Sequence, residues 1–201
     1  MAGPNGPVPF VGLTGGLGAG KSEALRALEA LGASTLSTDA VVHELLQGEE
    51  LRSEIVERLG EGVQRDGVLD RSLMAERVFG DEEARAWLEG VLWPKVGERV
   101  AAWKAEVDAA QPRPRAAVVE VPLLFEAGME AVFDKTLAVV ADEGVRTERA
   151  GSRGHAAVEG RAGRQLSQDE KAARADYVVR NDGTLDELRE KLSRVLGTIG
   201  T

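Results

Sequence analysis

Val8-Pro9-Phe10-Val11-Gly12-Leu13-Thr14, followed by Gly15-Gly16-Leu17-Gly18-Ala19-Gly20-Lys21-Ser22, decides the fold of this chain. The first stretch reads as a short buried strand that runs into glycines. The second fits G-x-x-x-x-G-K-[ST]. Ser22 to Leu31 carries Leu25, Leu28 and Leu31 at helical spacing, and Gly32 closes that helix. Ser34 to Ser37 is a candidate second strand. Strand, glycine loop, helix, strand is a βαβ unit, and it implies a parallel sheet.

The loop's residue types carry a chemistry. Glycines let the backbone wrap an anion with its N–H groups turned inward, and a helix opening near Gly20 adds the positive end of its dipole. Lys21 is placed to reach the β- and γ-phosphates of a nucleotide, and the Ser22 hydroxyl to ligate Mg²⁺. Gly15, Gly16, Leu17, Gly18, Ala19, Gly20, Lys21 and Ser22 are therefore the candidate ATP-binding residues. Asp39 follows the second strand, and ligands of open parallel sheets bind at the carboxyl ends of strands. Its carboxylate is a candidate acceptor for the proton of an attacking hydroxyl. Capping of a helix that begins at Ala40 is an equally available role, and the two are compatible.

Further along, Ala40 to Val107 shows helical patterns and no clear strand. Trp87, Leu88, Val91 and Leu92 form one helix, and Pro94 is expected to start the next, with Val96, Val100, Trp103 and Val107 on one face. Trp93 belongs either to that apolar seam or to the mouth of a substrate groove. Gln111 to Arg115 reads as a surface loop. Ala116 to Val121, Thr136 to Val140 and Tyr177 to Val179 are further strands, the first two apolar throughout, as strands covered on both faces are. Thr184 and Glu187 form a capping box for a last helix burying Leu185, Leu188, Leu192, Val195 and Ile199. Asp142 to Arg174 reads as a mobile helical segment. Its Arg146, Arg149, Arg153, Arg161 and Arg164 make either a flap that neutralises phosphoryl charge or a solvated helix face.

Bulk properties restrict the function. The chain has 201 residues, formal net charge −9 and no cysteine. A broad basic nucleic-acid surface, disulfides and thiolate metal sites are excluded. Two histidines, His43 and His155, are too few for a histidine-rich zinc site. No targeting segment and no apolar stretch of about 18 residues occurs, so a cytoplasmic protein without membrane partners is expected.

These residues resemble the dephospho-CoA kinase family over roughly Val11 to Leu196. The phosphate loop, Thr38-Asp39-Ala40, Leu69-Asp70-Arg71 and Val78-Phe79-Gly80-Asp81 carry the likeness. So do Val121-Pro122-Leu123-Leu124-Phe125-Glu126, which is the most specific stretch, Arg161 to Gln165, Lys171, and Ala175 to Gly183. The resemblance implies ATP-dependent phosphorylation of the ribose 3′-hydroxyl of dephospho-CoA, with ATP and Mg²⁺ required, in a monomer or weak homo-oligomer. It implies an α/β fold: a P-loop three-layer α/β/α domain with a parallel sheet of about five strands. The core is expected over 8–40, 115–141 and 175–201, an inserted helical CoA-binding subdomain over 41–110, and a helical lid over 142–174. Asp39 matches the family's presumed base and Arg161 a lid arginine, with Arg153 and Asn181 on the nucleotide side. Ser37, Trp93, Glu23 and Arg180 depart from the pattern, standing for Asp, His, Thr and an acidic or polar residue. The lid is also about three residues short between Arg153 and Arg161 against that pattern.

A related kinase with another small alcohol or nucleotide substrate, a GTPase-type switch and a degenerate non-catalytic nucleotide-binding protein are the competing readings. The guanine motif N-K-x-D and the switch motif D-x-x-G are both absent.

Overall fold

The apolar run from Val8 to Leu13 leads into the glycine loop and forms most of the central strand of the sheet that holds it. A computed structural model of the chain describes residues 6–151 and 165–199. Strands β1 (Phe10–Gly15), β2 (Ser34–Ser37), β5 (Ala117–Glu120), β6 (Lys135–Val140) and β7 (Tyr177–Arg180) form one sheet in the order β2-β5-β1-β6-β7. Every pair is parallel. The expected five-stranded parallel sheet is thus present, with β1 at its centre and Leu13 level with Glu120 on one side and Leu137 on the other.

Alternation along β1 covers both faces. Val11 and Leu13 join Val118, Leu137, Val139 and Val179 under helices α1 (Lys21–Ala30) and α8 (Leu185–Ile199). On the opposite face Phe10 meets Phe133, with ring centroids 4.7 Å apart, and packs with Val8, Trp103, Val107 and Ala117. Helices α6 (Glu143–Gly151) and α7 (Gln168–Arg174) follow β6 and precede β7. The capping box forms as read: Glu187 N–H donates to Thr184 Oγ1 and Thr184 N–H to Glu187 Oε2. Leu185, expected inside, is 64% exposed, because α8 turns Leu188, Leu192 and Leu196 to the core instead.

By its contacts the chain divides into two compact units, Met1–Ser37 with Trp103–Thr201, and Thr38–Ala102. The second contains α2 (Thr38–Leu45), α3 (Glu49–Leu59), α4 (Arg71–Val78) and most of α5 (Glu82–Ala109). Leu51, Ile55 and Leu59 pack there with Met74, Val78, Ala84 and Leu88. Two sequence expectations need correction in this unit. A two-stranded antiparallel ribbon, β3 (Gln64–Arg65) with β4 (Val68–Leu69), lies in the stretch read as free of strands. Asp66 at φ 53° and Gly67 at φ 77° make its turn, and the Asp-Gly pair suits two successive positive φ values. Pro94 does not start a helix but lies inside α5. Its ring confronts the carbonyl of residue 90, which is an exposed glycine. The helix can bend slightly there, and the freed carbonyl can reach water.

Candidate active site

The loop from Gly16 to Gly20 leaves the carboxyl end of the central strand and enters α1 at Lys21. Two glycines are required by its path. A Cβ on Gly15 would lie 2.2 Å from the Val139 carbonyl oxygen, and one on Gly18, at φ 74°, would lie 2.6 Å from that of Arg146. Ala19 N–H closes the turn onto the Gly16 carbonyl at 3.2 Å. Gly20, left-handed at φ 90°, caps α1 without any side-chain hydrogen bond. Lys21 Nζ donates to the carbonyls of Gly15 at 3.0 Å and Gly16 at 3.1 Å, which keeps the ammonium over the loop. Ser22 follows in the first turn of α1, half-buried.

Three side chains from distant elements hold the loop. Asn181, buried at the end of β7, donates from Nδ2 to the Ala19 carbonyl at 2.9 Å. Arg146 of α6 donates from Nε to the Leu17 carbonyl at 2.8 Å. Gln168 of α7 grips the Ala141 backbone, accepting at 2.9 Å and donating at 2.8 Å, while its Cγ comes within 2.9 Å of the Cβ position of Gly16. Next to Asn181, the Asp142 N–H bond holds the Asp182 carboxyl below its usual range, and Arg180 adds to this against the opposing effect of burial.

In the second unit Asp39 lies in the first turn of α2, which begins at Thr38 rather than Ala40. A negative charge there faces the positive end of the helix dipole. Arg71 spans 32 residues to reach it, with Nη2 at 3.0 Å from Asp39 Oδ1 and Nη1 at 3.3 Å from the Asp39 carbonyl. Arg71 is itself placed by a cap. Asp70 accepts from Ser72 N–H at 2.8 Å and Leu73 N–H at 3.2 Å, and these bonds, Leu73's foremost, hold its carboxyl below the ordinary value. Trp93 is 39% exposed and stands outside the apolar cluster that includes Trp87, Leu88, Val91 and Leu92, so it is not part of that seam.

The predicted site residues therefore fall into three sets. Gly15 to Ser22 and Asn181 are brought together in the first unit. Asp39 belongs to the second unit, with Arg71 as its partner. Arg153 and Arg161 lie outside the described residues. Asn181, expected on the nucleotide side, bonds the loop backbone at Ala19. Arg71, Gln168 and the loop contact of Arg146 were not assigned to the site by sequence. Their contacts reach 32 to 152 positions along the chain, and no local pattern announces them.

The donor set around the loop suits Mg²⁺ that arrives with a nucleotide. Among the described residues no group of three or more His, Asp or Glu could hold a metal ion by itself. Mg²⁺ commonly takes one or two protein oxygens and completes its shell with water and phosphate, and Ser22 offers one such oxygen.

A glycine loop between the central strand of a parallel sheet and a helix start, closed by a lysine and a serine, defines a P-loop α/β protein. Comparison with known proteins makes this specific. The family model for dephospho-CoA kinase matches residues 9–187. A dephospho-CoA kinase of Protochlamydia amoebophila is 39% identical over 187 residues, covering 90% of this chain and 92% of the relative. One of Deinococcus radiodurans is 40% identical over 190 residues, covering 92% and 90%. A crystal structure of a Thermus thermophilus protein superposes with a TM-score of 0.80 at 31% identity, over 96% of this chain and 98% of that one. This chain belongs to the dephospho-CoA kinase family.

Proposed function

We propose that the chain transfers the γ-phosphoryl group of ATP to the ribose 3′-hydroxyl of dephospho-CoA, giving coenzyme A and ADP. The match of the family model across residues 9–187 carries this reading, with the phosphate loop intact inside it. In the reaction the bond between the γ-phosphorus and the β,γ-bridging oxygen breaks. A new bond forms to the ribose 3′-oxygen, and the hydroxyl proton leaves to a carboxylate. Backbone N–H groups of Gly16 to Lys21 bind the phosphates, and Lys21 offsets the charge that develops on the transferred group. Asp39 takes the hydroxyl proton, oriented by the Arg71 fork, and its value lies in alignment more than in basicity. The Ser22 hydroxyl would hold Mg²⁺ in part, and the ion would supply neutralisation of phosphate charge. Arg161 and Arg153 complete the nucleotide side, a role that rests on their match to the family pattern alone. The enzyme is taken as cytoplasmic and as a monomer or weak homo-oligomer, and sedimentation at assay concentrations tests the latter.

The decisive test is purified protein with ATP, Mg²⁺ and dephospho-CoA, with ADP and CoA measured as products in equal amounts. ADP formation without CoA, or turnover only with another acceptor alcohol, overturns the substrate assignment.

A further inference from the structure

Lys171 has no exposed surface, although its neighbours in Gln168–Arg174 make an ordinary charged helix. Lysine is rarely buried in full unless it is paired. Its Nζ donates to the Pro122 carbonyl at 2.7 Å and forms an ion pair with Glu126 Oε1 at 2.9 Å. The same Glu126 oxygen accepts from Leu166 N–H at 2.9 Å, while Glu126 Oε2 is buried and has no hydrogen-bond partner among the described residues.

Fold stability does not by itself explain the pair, since apolar residues of similar volume often serve as well as a buried ion pair. An apolar pair could not, however, donate to the Pro122 carbonyl. That oxygen also accepts from Thr14 Oγ1 at 3.3 Å, and Thr14 is the residue before Gly15. Helix α7 thus reaches the phosphate loop twice, at Gly16 through Gln168 and at Thr14 through Pro122. Its far end is tied down by Arg174, which bonds Glu130 at 2.6 Å and lies over the Phe125 ring at 5.0 Å.

We propose that Lys171 is a positioning residue for phosphoryl transfer: its buried ammonium, neutralised by Glu126, fixes the Pro122 carbonyl and, through Thr14, the entry to the phosphate loop. The loop's N–H groups are then aimed before nucleotide arrives, so alignment costs nothing further on binding. This inference rests on the kinase reading above. It also gives the Val121 to Glu126 stretch a task, since Pro122 supplies the shared oxygen and Glu126 the counter-charge.

The test compares wild type, Lys171→Met, the double variant Lys171→Met with Glu126→Leu, and Thr14→Val. Thermal unfolding, kcat, both KM values and ATP affinity by direct titration are measured for each. Lys171→Met should lower both Tm and kcat/KM for ATP, the latter on the order of 10-fold to 100-fold. The double variant should recover Tm while keeping the kinetic loss. Thr14→Val leaves the ion pair in place, so it should keep the wild-type Tm and raise KM for ATP several-fold. KM for dephospho-CoA should stay level throughout. Wild-type kinetics in a double variant of restored Tm would reduce the pair to a stability element and overturn the proposal, as would unchanged ATP kinetics in Thr14→Val. If wild type fails to phosphorylate dephospho-CoA, the kinase reading falls separately. The positioning claim is then decided by ATP affinity alone, which must weaken in Lys171→Met and Thr14→Val for it to stand.

Discussion

Replacing Arg71 by alanine should separate the stability of this protein from its chemistry. The Arg71 and Asp39 side chains are 38% and 42% exposed, so water screens the 3.0 Å pair strongly. Exposed ion pairs contribute about 0.2–1 kcal/mol. Arg71 is also the first residue of α4, where a positive charge meets the positive end of the helix dipole, and its removal returns roughly 0.3–0.5 kcal/mol. The net change in stability should therefore lie within about 1 kcal/mol of zero, a Tm shift of at most roughly 2–4 °C at this chain length. Turnover should respond far more. Proton acceptance by a positioned side chain contributes on the order of 10²–10⁴-fold, and Asp39 loses its two-pronged partner without losing its carboxylate. A fall in kcat of about 10- to 100-fold is expected if Arg71 acts through Asp39, with KM for ATP unchanged. The assay is initial-rate ADP release beside thermal unfolding, for Arg71→Ala, Asp39→Asn and the double variant. If Arg71 acts through Asp39, the losses are not additive, and the double variant is no slower than Asp39→Asn alone. Wild-type kcat in Arg71→Ala, or fully additive losses, would refute the orienting role.

Lys21→Ala should abolish turnover and leave Tm nearly unchanged, because the ammonium bonds the loop carbonyls of Gly15 and Gly16 and lies outside the apolar core; full activity would remove the phosphate loop from the mechanism. Trp93→Ala should cost about 1 kcal/mol, against the roughly 3–5 expected of a buried tryptophan, and calorimetry showing the larger figure would return it to the core. Asp176 ties the start of β7 to β6 by accepting from Thr136 N–H and Oγ1, both at 2.8 Å. Burial opposes its ionisation, but the Thr136 bonds and Lys135 prevail, so its pKa lies below the model-peptide value of 3.8. A lowered folded pKa stabilises the protein above that value and loses the effect as pH falls through it. The urea midpoint of Asp176→Asn should accordingly trail wild type at about pH 6 and converge on it only as pH falls through the lowered carboxyl pKa, below the usual aspartate value; a gap that widens in acid contradicts the assignment.

What the sequence made legible is what local chemistry dictates. The phosphate loop, its strand and the Thr184–Glu187 box each complete their pattern within a few residues, and each formed as read. The β3–β4 ribbon carried a readable Asp-Gly turn, but Gln64 and Arg65 beside it lack the apolar alternation by which strands are recognised. Pro94 suits a helix start by local rule, yet it lies in the interior of α5. The helix runs from Glu82 to Ala109, and the proline alone does not distinguish an interior position from a helix start. Asp39 supports two readings in sequence, and its Arg71 partner lies 32 residues away, where no local pattern shows it.

Lys171 marks the limit of such reading most clearly. Gln168-Asp169-Glu170-Lys171-Ala172-Ala173-Arg174 has the composition of a solvated helix, and apart from the family resemblance its pattern does not separate Lys171, with no exposed surface, from Arg174, whose side chain is 43% exposed. The difference is made by a carbonyl and a carboxylate 49 and 45 positions earlier, brought beneath the helix by the path of the chain after β5. A polar side chain that completes a buried network is specified by tertiary closure and not by its own neighbours. The residues that aim this phosphate loop are therefore the ones its motif leaves out.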